Sequence, residues 1–158
     1  MEYKTILIPH DGSKFSDKAV DVAIELAMIS KDSHVILLHV MPEIPTPLVL
    51  ERPIHSHRTG EVTTISEYWK ELYKDIHSNV FKMLDKRKRK FEELNISVEI
   101  RSVVGYPSDV ILSEGAKNNV NLIIMGTAGL RGISKIKALG SVARRVSEQA
   151  VCPVLLVH

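Results

Sequence analysis

Gly126-Thr127-Ala128-Gly129-Leu130-Arg131-Gly132 follows directly on the apolar run Leu122-Ile123-Ile124-Met125, and Gly140-Ser141-Val142 opens a helical pattern soon after. The series reads as strand, glycine loop and helix N-terminus. Glycines let a main chain approach an anion closely and take φ > 0 without a Cβ clash. The first free amides of a helix, with its dipole, favour negative charge. The chemistry expected is the binding of a phosphorylated small molecule, a nucleotide above all. Arg131, Lys135 and Lys137 are read either as neutralising phosphate charge or as solubilising the loop.

Two common nucleotide signatures are missing. No G-x-x-x-x-G-K-[ST] occurs, and the glycines run G-x-x-G-x-x-G rather than G-x-G-x-x-G. A P-loop hydrolase and a dinucleotide dehydrogenase are thereby disfavoured. A second candidate segment, Asp11-Gly12-Ser13, closes the apolar run Thr5-Ile6-Leu7-Ile8-Pro9. Asp11 can accept hydrogen bonds from ribose hydroxyls or an adenine edge, or it can cap the helix that follows. His10 beside it is read as a partly buried turn histidine. Ser141 can cap the last helix and still reach a phosphate with its hydroxyl.

The elements that must position these segments follow from periodicity. Strands are expected at 5–9, 35–41, 95–104, 122–125 and 154–157, the continuous apolar runs among them suiting a parallel sheet covered on both faces. Helices are expected from about Lys14 to Ser30, over Ile65 to Leu94, after Pro107 as far as Asn118-Asn119, and through Val142, Ala143, Val146 and Ala150. Pro42 to Gly60 carries four of the seven prolines and is read as a loop. The run Lys86-Arg87-Lys88-Arg89-Lys90 points in every direction around its helix, so it is read as solvated, with Arg87 snorkelling at the outer end. The order β-α-β-loop-α-β-α-β-α-β specifies an open, doubly wound α/β sheet with helices on both faces, and ligands bind such sheets where the strand order reverses.

The glycine segment resembles the universal stress protein family, whose ATP-binding members carry G-x2-G-x9-G-[ST] after the fourth strand; here the spacing is G-x2-G-x10-G-S, the extra residue lying in Ile136 to Leu139. The resemblance covers essentially the whole chain and implies a single domain over 1–158, a five-stranded Rossmann-like sheet and strand order 3-2-1-4-5. It places ATP contacts on Pro9, Asp11, Gly12 and Ser13 of the first loop and on Val40 near the adenine. Met125, Gly126 and Gly129, with Gly140, Ser141 and Val142, complete the implied set. Mg2+ or Mn2+ would be held mainly by the ATP phosphates. The residues themselves support only Asp11 and the stretch from Gly126 to Ser141 independently.

Composition bounds the remaining classes. The 158 residues are 44% hydrophobic and 5% aromatic, enough for a sizeable aliphatic core. A net charge of +2, from 21 basic and 19 acidic residues spread along the chain, points to neither a nucleic-acid nor a membrane partner. The longest apolar run, Val35 to Met41, falls far short of the ~20 residues that span a bilayer. Cys152 is the single cysteine, which excludes an internal disulfide and suits a reducing cytoplasm. His55-x-His57 lacks a nearby acid and is read as solvent-exposed, so no metal site and no catalytic residue is assigned. The motifs S-G-G-x-D-S, H-I-G-H and K-M-S-K-S of adenylyl-transferring relatives are absent. Three readings stay open: an ATP-responsive regulatory or stress-response module with an unknown protein partner, a protein-interaction module that binds no nucleotide, and a weak ATPase or adenylyl- or phosphoryl-transfer enzyme. The apolar Val154-Leu155-Leu156-Val157 at the sheet edge is expected to join a homodimer.

Overall fold

The computed structural model describes residues 3–30, 32–43, 53–56, 58–128 and 139–158. The chain divides into two compact units, one formed by Met1–Glu43 with Met83–His158, the other by Ile44–Lys82.

The larger unit holds five parallel strands: β1 (Thr5–Pro9), β2 (His34–Met41), β5 (Ser97–Val104), β6 (Leu122–Gly126) and β7 (Val154–Val157). Their order, β5-β2-β1-β6-β7, is 3-2-1-4-5 in terms of this sheet alone, as the resemblance implied. Alternate residues of each strand enter different layers because side chains change face at every step. On one face Ile6, Ile8, Val35, Leu37, Leu122 and Ile124 meet Ala19, Val20, Ala23 and Ala27 of helix α1 (Lys14–Ile29) and Phe91 near the end of helix α2 (Ile65–Glu92). On the other face Leu7, Ile36, Leu38, Ile123 and Met125 meet Ile111 of α3 (Pro107–Lys117) and Ala143 and Val146 of α4 (Ser141–Gln149). Ile6, Leu7 and Ile8 have no exposed surface, which explains why β1 reads as an unbroken apolar run.

Local signals set the element ends. Ser13, rather than Asp11, caps α1: its Oγ accepts the Ser16 amide at 3.1 Å. Asp11 instead accepts the Ser13 amide at 3.0 Å, closing a turn on its own backbone. Asn119, just past α3, takes φ +50, the left-handed conformation that asparagine tolerates at a helix end. α4 is capped by Gly140, with no side-chain hydrogen bond, so Ser141 is its first helical residue and not its cap.

The smaller unit corrects the loop expected over Pro42 to Gly60. Within that span β3 (Pro53–His55) pairs antiparallel with β4 (Val62–Thr64), and the Ser56 carbonyl accepts the Gly60 amide at 2.8 Å to close the turn. Strands of three residues are too short to show a period of two, and Pro53 sits at a first strand position where its missing N–H is tolerated. Residues 44–52 and 57 lie outside the described residues. The start of α2 is a reciprocal cap: Thr64 Oγ1 accepts the Glu67 amide at 3.2 Å, and the Glu67 carboxylate accepts the Thr64 amide at 3.2 Å.

Candidate functional site

In the larger unit the reversal of strand order falls between β1 and β6, which pair in parallel through Ile6 with Leu122 and Leu7 with Ile123. The carboxyl ends of these neighbours carry the two segments singled out in the sequence. Pro9 ends β1 and leads into Asp11-Gly12-Ser13; Met125 and Gly126 end β6. Val40, near the end of β2, and Val142, in the first turn of α4, both pack against the apolar layer that contains Met125. Val40, Met125 and Val142 are thus brought to one layer on the α3 and α4 side of the sheet. Gly140 is joined to the end of β6 by its amide, which donates to the Thr127 carbonyl at 2.8 Å. Gly129 and Gly132, with Arg131, Lys135 and Lys137, lie outside the described residues, as does the Ile136 to Leu139 stretch except for Leu139.

Each described glycine has its own physical reason. Gly12 has φ +87, in the left-handed region where a Cβ clashes with the backbone, and a Cβ there would stand 3.1 Å from Met83 Sδ. Gly126 does not have a positive φ. A Cβ on it would lie 2.6 Å from Phe15 Cβ and 2.8 Å from the Phe15 carbonyl carbon, so the N-terminal turn of α1 seats directly on the end of β6. Gly140 is less confined, its nearest neighbour being the Thr127 carbonyl oxygen at 3.2 Å.

The first loop is supported from beneath by groups that sequence spacing did not reveal. His10 is 2% exposed, more deeply buried than the turn histidine expected. Its Nδ1 accepts the Gly12 amide at 3.2 Å, and Nε2 lies 3.0 Å from Asp17 Oδ1. A backbone N–H can only donate, so Nδ1 is the acceptor and the ring proton sits on Nε2, directed at the carboxylate. Burial lowers the His10 pKa, outweighing the hydrogen bond to Asp17, and keeps the ring neutral. Asp17 also receives the Arg87 fork, Nε to Oδ1 at 2.8 Å and Nη2 to Oδ2 at 3.1 Å. Its partial burial opposes ionisation, but the Arg87 and His10 hydrogen bonds prevail and hold the carboxyl below its ordinary pKa. Arg87 therefore does not snorkel outward: two hydrogen bonds to a carboxylate and one from Nη1 to the Met83 carbonyl at 2.9 Å fix it against α1. His39 Nδ1 donates to the His10 carbonyl at 2.7 Å, tying the same corner to β2.

Three more cations of the basic run are paired with acids: Lys88 with Glu92, Arg89 with Asp85 and Lys90 with Asp21. Among the described residues no group of three metal-ligating side chains gathers, and no helix is long and apolar enough to cross a membrane. Cys152 is half-buried, and burial raises its pKa away from thiolate character.

The model of the universal stress protein family matches residues 2–158. The chain belongs to that family. It is 30% identical to universal stress protein YxiE of Bacillus subtilis, with 99% of each chain covered. Identity with universal stress protein MJ0531 of Methanocaldococcus jannaschii is 34%, over 98% of this chain and 82% of that one. Among solved structures, protein MJ0577 superposes with a TM-score of 0.79 at 27% identity, covering 99% of this chain and 96% of that one. Two structures more distant in sequence share the fold: a universal stress protein in complex with cAMP, at TM-score 0.68, 22% identity and coverage of 100% and 98%, and an Arabidopsis thaliana family protein with AMP bound, at TM-score 0.64, 18% identity and coverage of 98% and 90%.

Proposed function

We propose that this universal stress protein binds ATP at the carboxyl ends of β1 and β6 and acts as a nucleotide-responsive regulatory or stress-response module. The observation that carries the reading is the arrival of Asp11-Gly12-Ser13 and of Gly126 with Gly140-Ser141 at adjacent strand ends, where the strand order reverses. Asp11 would serve the ribose or adenine edge. Val40, Met125 and Val142 would supply the apolar wall for the base, and the Gly129 to Ser141 segment with the α4 N-terminus would supply phosphate contacts. Mg2+ or Mn2+ would be held mainly by the phosphates. The adenine nucleotides named for the cAMP and AMP structures support the ligand class.

In this reading ATP has higher affinity for one conformation of the glycine segment and shifts the chain toward it, altering a surface that an unknown protein partner reads. Residues 1–158 act as one domain in the cytoplasm, pairing as a homodimer through β7, and at most slow hydrolysis accompanies binding. Calorimetry with ATP and GTP at matched magnesium tests the proposal: ATP is expected to bind more tightly, and Gly129→Val to abolish the signal with the fold intact. Equal affinities, or none for either nucleotide, would sink it. A second reading, a protein-interaction module that binds no nucleotide, draws on a specific observation: Gly12 and Gly126 are each required by the fold itself, without reference to a ligand.

A further inference from the structure

The contacts beneath the first loop form a closed circuit. From Gly12 it runs through the amide to His10 Nδ1, from His10 Nε2 to Asp17, and from Asp17 to the Arg87 fork. It returns from Arg87 Nη1 to the Met83 carbonyl, and from Met83, whose Sδ faces the missing Cβ of Gly12, back to the start. Three elements contribute: the end of β1, the first turn of α1 and the C-terminal part of α2. The His10 side chain has no exposed surface and Arg87 retains 21% of its own, while the shared Asp17 carboxylate is 41% exposed, so the circuit is shielded from water at its His10 end and open to it at Asp17. Asp17 is the shared node, its carboxylate accepting from both His10 and Arg87, so the His10 and Arg87 links act on one group.

We propose that this circuit is a bracket through which α2 holds Gly12, and with it Asp11 and Ser13, in the conformation that receives the ligand, with His10, Asp17 and Arg87 as positioning residues. The proposal rests on the ATP reading for its purpose but not for its geometry. None of the three side chains touches ligand in this scheme. They fix a left-handed backbone turn that would otherwise sample other conformations, so that binding need not restrict it. Exchange of the Arg87 fork for a single-point cation would retain charge while losing the planar match to Asp17.

His10→Gln keeps a donor for Asp17 but removes the acceptor for Gly12, and Arg87→Met removes the fork while keeping an apolar stem. In ligand-free protein each is expected to lower the hydrogen-exchange protection of the Gly12 amide about tenfold while β1 amides keep theirs, and the double variant to lose no more than either single one, as linked parts of one network do. His10→Asn, whose Oδ1 can stand near the Nδ1 position, should restore part of the Gly12 protection. ATP affinity is expected to fall about tenfold in His10→Gln and Arg87→Met alike. Unchanged Gly12 protection in both variants, or additive losses in the double variant, would overturn the bracket. Protection lost with ATP affinity intact would overturn its service to the site. A parent that binds no ATP would defeat the functional reading, and Gly12 protection would still decide the circuit.

Discussion

Gly12 and Gly126 stand at the ends of neighbouring strands, and the family resemblance implies nucleotide contacts at both, yet the fold requires them for opposite reasons. At Gly12 the constraint is torsional: φ is +87, and the nearest atom to a Cβ is the far end of a flexible methionine. At Gly126 it is steric: the backbone conformation is open to other residues, but the backbone of α1 occupies the space a side chain would need. One residue type in two segments of the same candidate site therefore encodes two kinds of information, a turn and a contact. Substitutions that respect one should violate the other.

The largest effect is expected at Gly126→Ala. A Cβ 2.8 Å from a backbone carbon forces α1 away from β6, costing about 3 kcal/mol, the upper part of the range for overpacking. A drop in the urea midpoint with unchanged slope would register it. Gly12→Ala should cost less, about 1–2 kcal/mol for a left-handed residue, since Met83 can move aside. The sharpest form of the comparison is a reversal of rank. Asparagine, which tolerates the left-handed region, should be milder than alanine at position 12, whereas at 126 the larger side chain should be worse. The same order at both positions would mean the two glycines share one constraint after all.

The two strand ends should also separate with pH. Because the folded-state pKa of His10 is lowered, the unfolded chain takes up its proton first. Its contribution to stability is therefore complete above the ordinary value of 6.5 and is lost as pH falls from there toward the folded value. Asp11 and Asp17 favour the imidazolium, Arg87 and burial oppose it, and His39 donates to the His10 carbonyl. Protonation would place a proton on Nδ1, where the Gly12 amide now donates, so acid should loosen Gly12 before the amides of β6. His10→Asn should remove the difference; a difference that survives in that variant would assign it to another group. The smallest effect is expected at Gly140→Ala, below about 1 kcal/mol, because the helix cap has an ordinary backbone and only the Thr127 carbonyl nearby.

Five strands were legible in the sequence because four are continuous apolar runs, β5 alternates with period two and each helix shows its 3.6-residue stripe; their order was implied by the family resemblance instead. The hairpin of β3 and β4 was not, since three-residue strands carry no periodic signal. Of the candidate site, the placement of Asp11-Gly12-Ser13 and Gly126 at adjacent strand ends followed from the strand order that the resemblance implies. The support beneath it did not. Asp17 and Arg87 are 70 residues apart, and nothing in the spacing of either reveals the other. Arg87 was hidden further by standing among five consecutive cations, four of which are now seen paired with acids from α1 or α2. The choice between Asp11 and Ser13 as the cap of α1 was equally invisible, because both residue types cap well and only the backbone decides.

The two edges of the sheet are unlike. On β5 the charged side chains of Glu99 and Arg101 form an ion pair, and Arg101 reaches on to Glu114 and Asn118 of α3. On β7 the row is apolar, with Leu155 37% exposed. Inward-pointing charge on an edge strand discourages the docking of another strand, whereas an apolar edge does not. Strand addition is thus favoured at β7 over β5. Head-to-tail extension, which needs two receptive edges per molecule, is disfavoured at β5. In the proposed dimer, pairing across β7 would use up the receptive edge of both molecules, so that assembly would end at two chains.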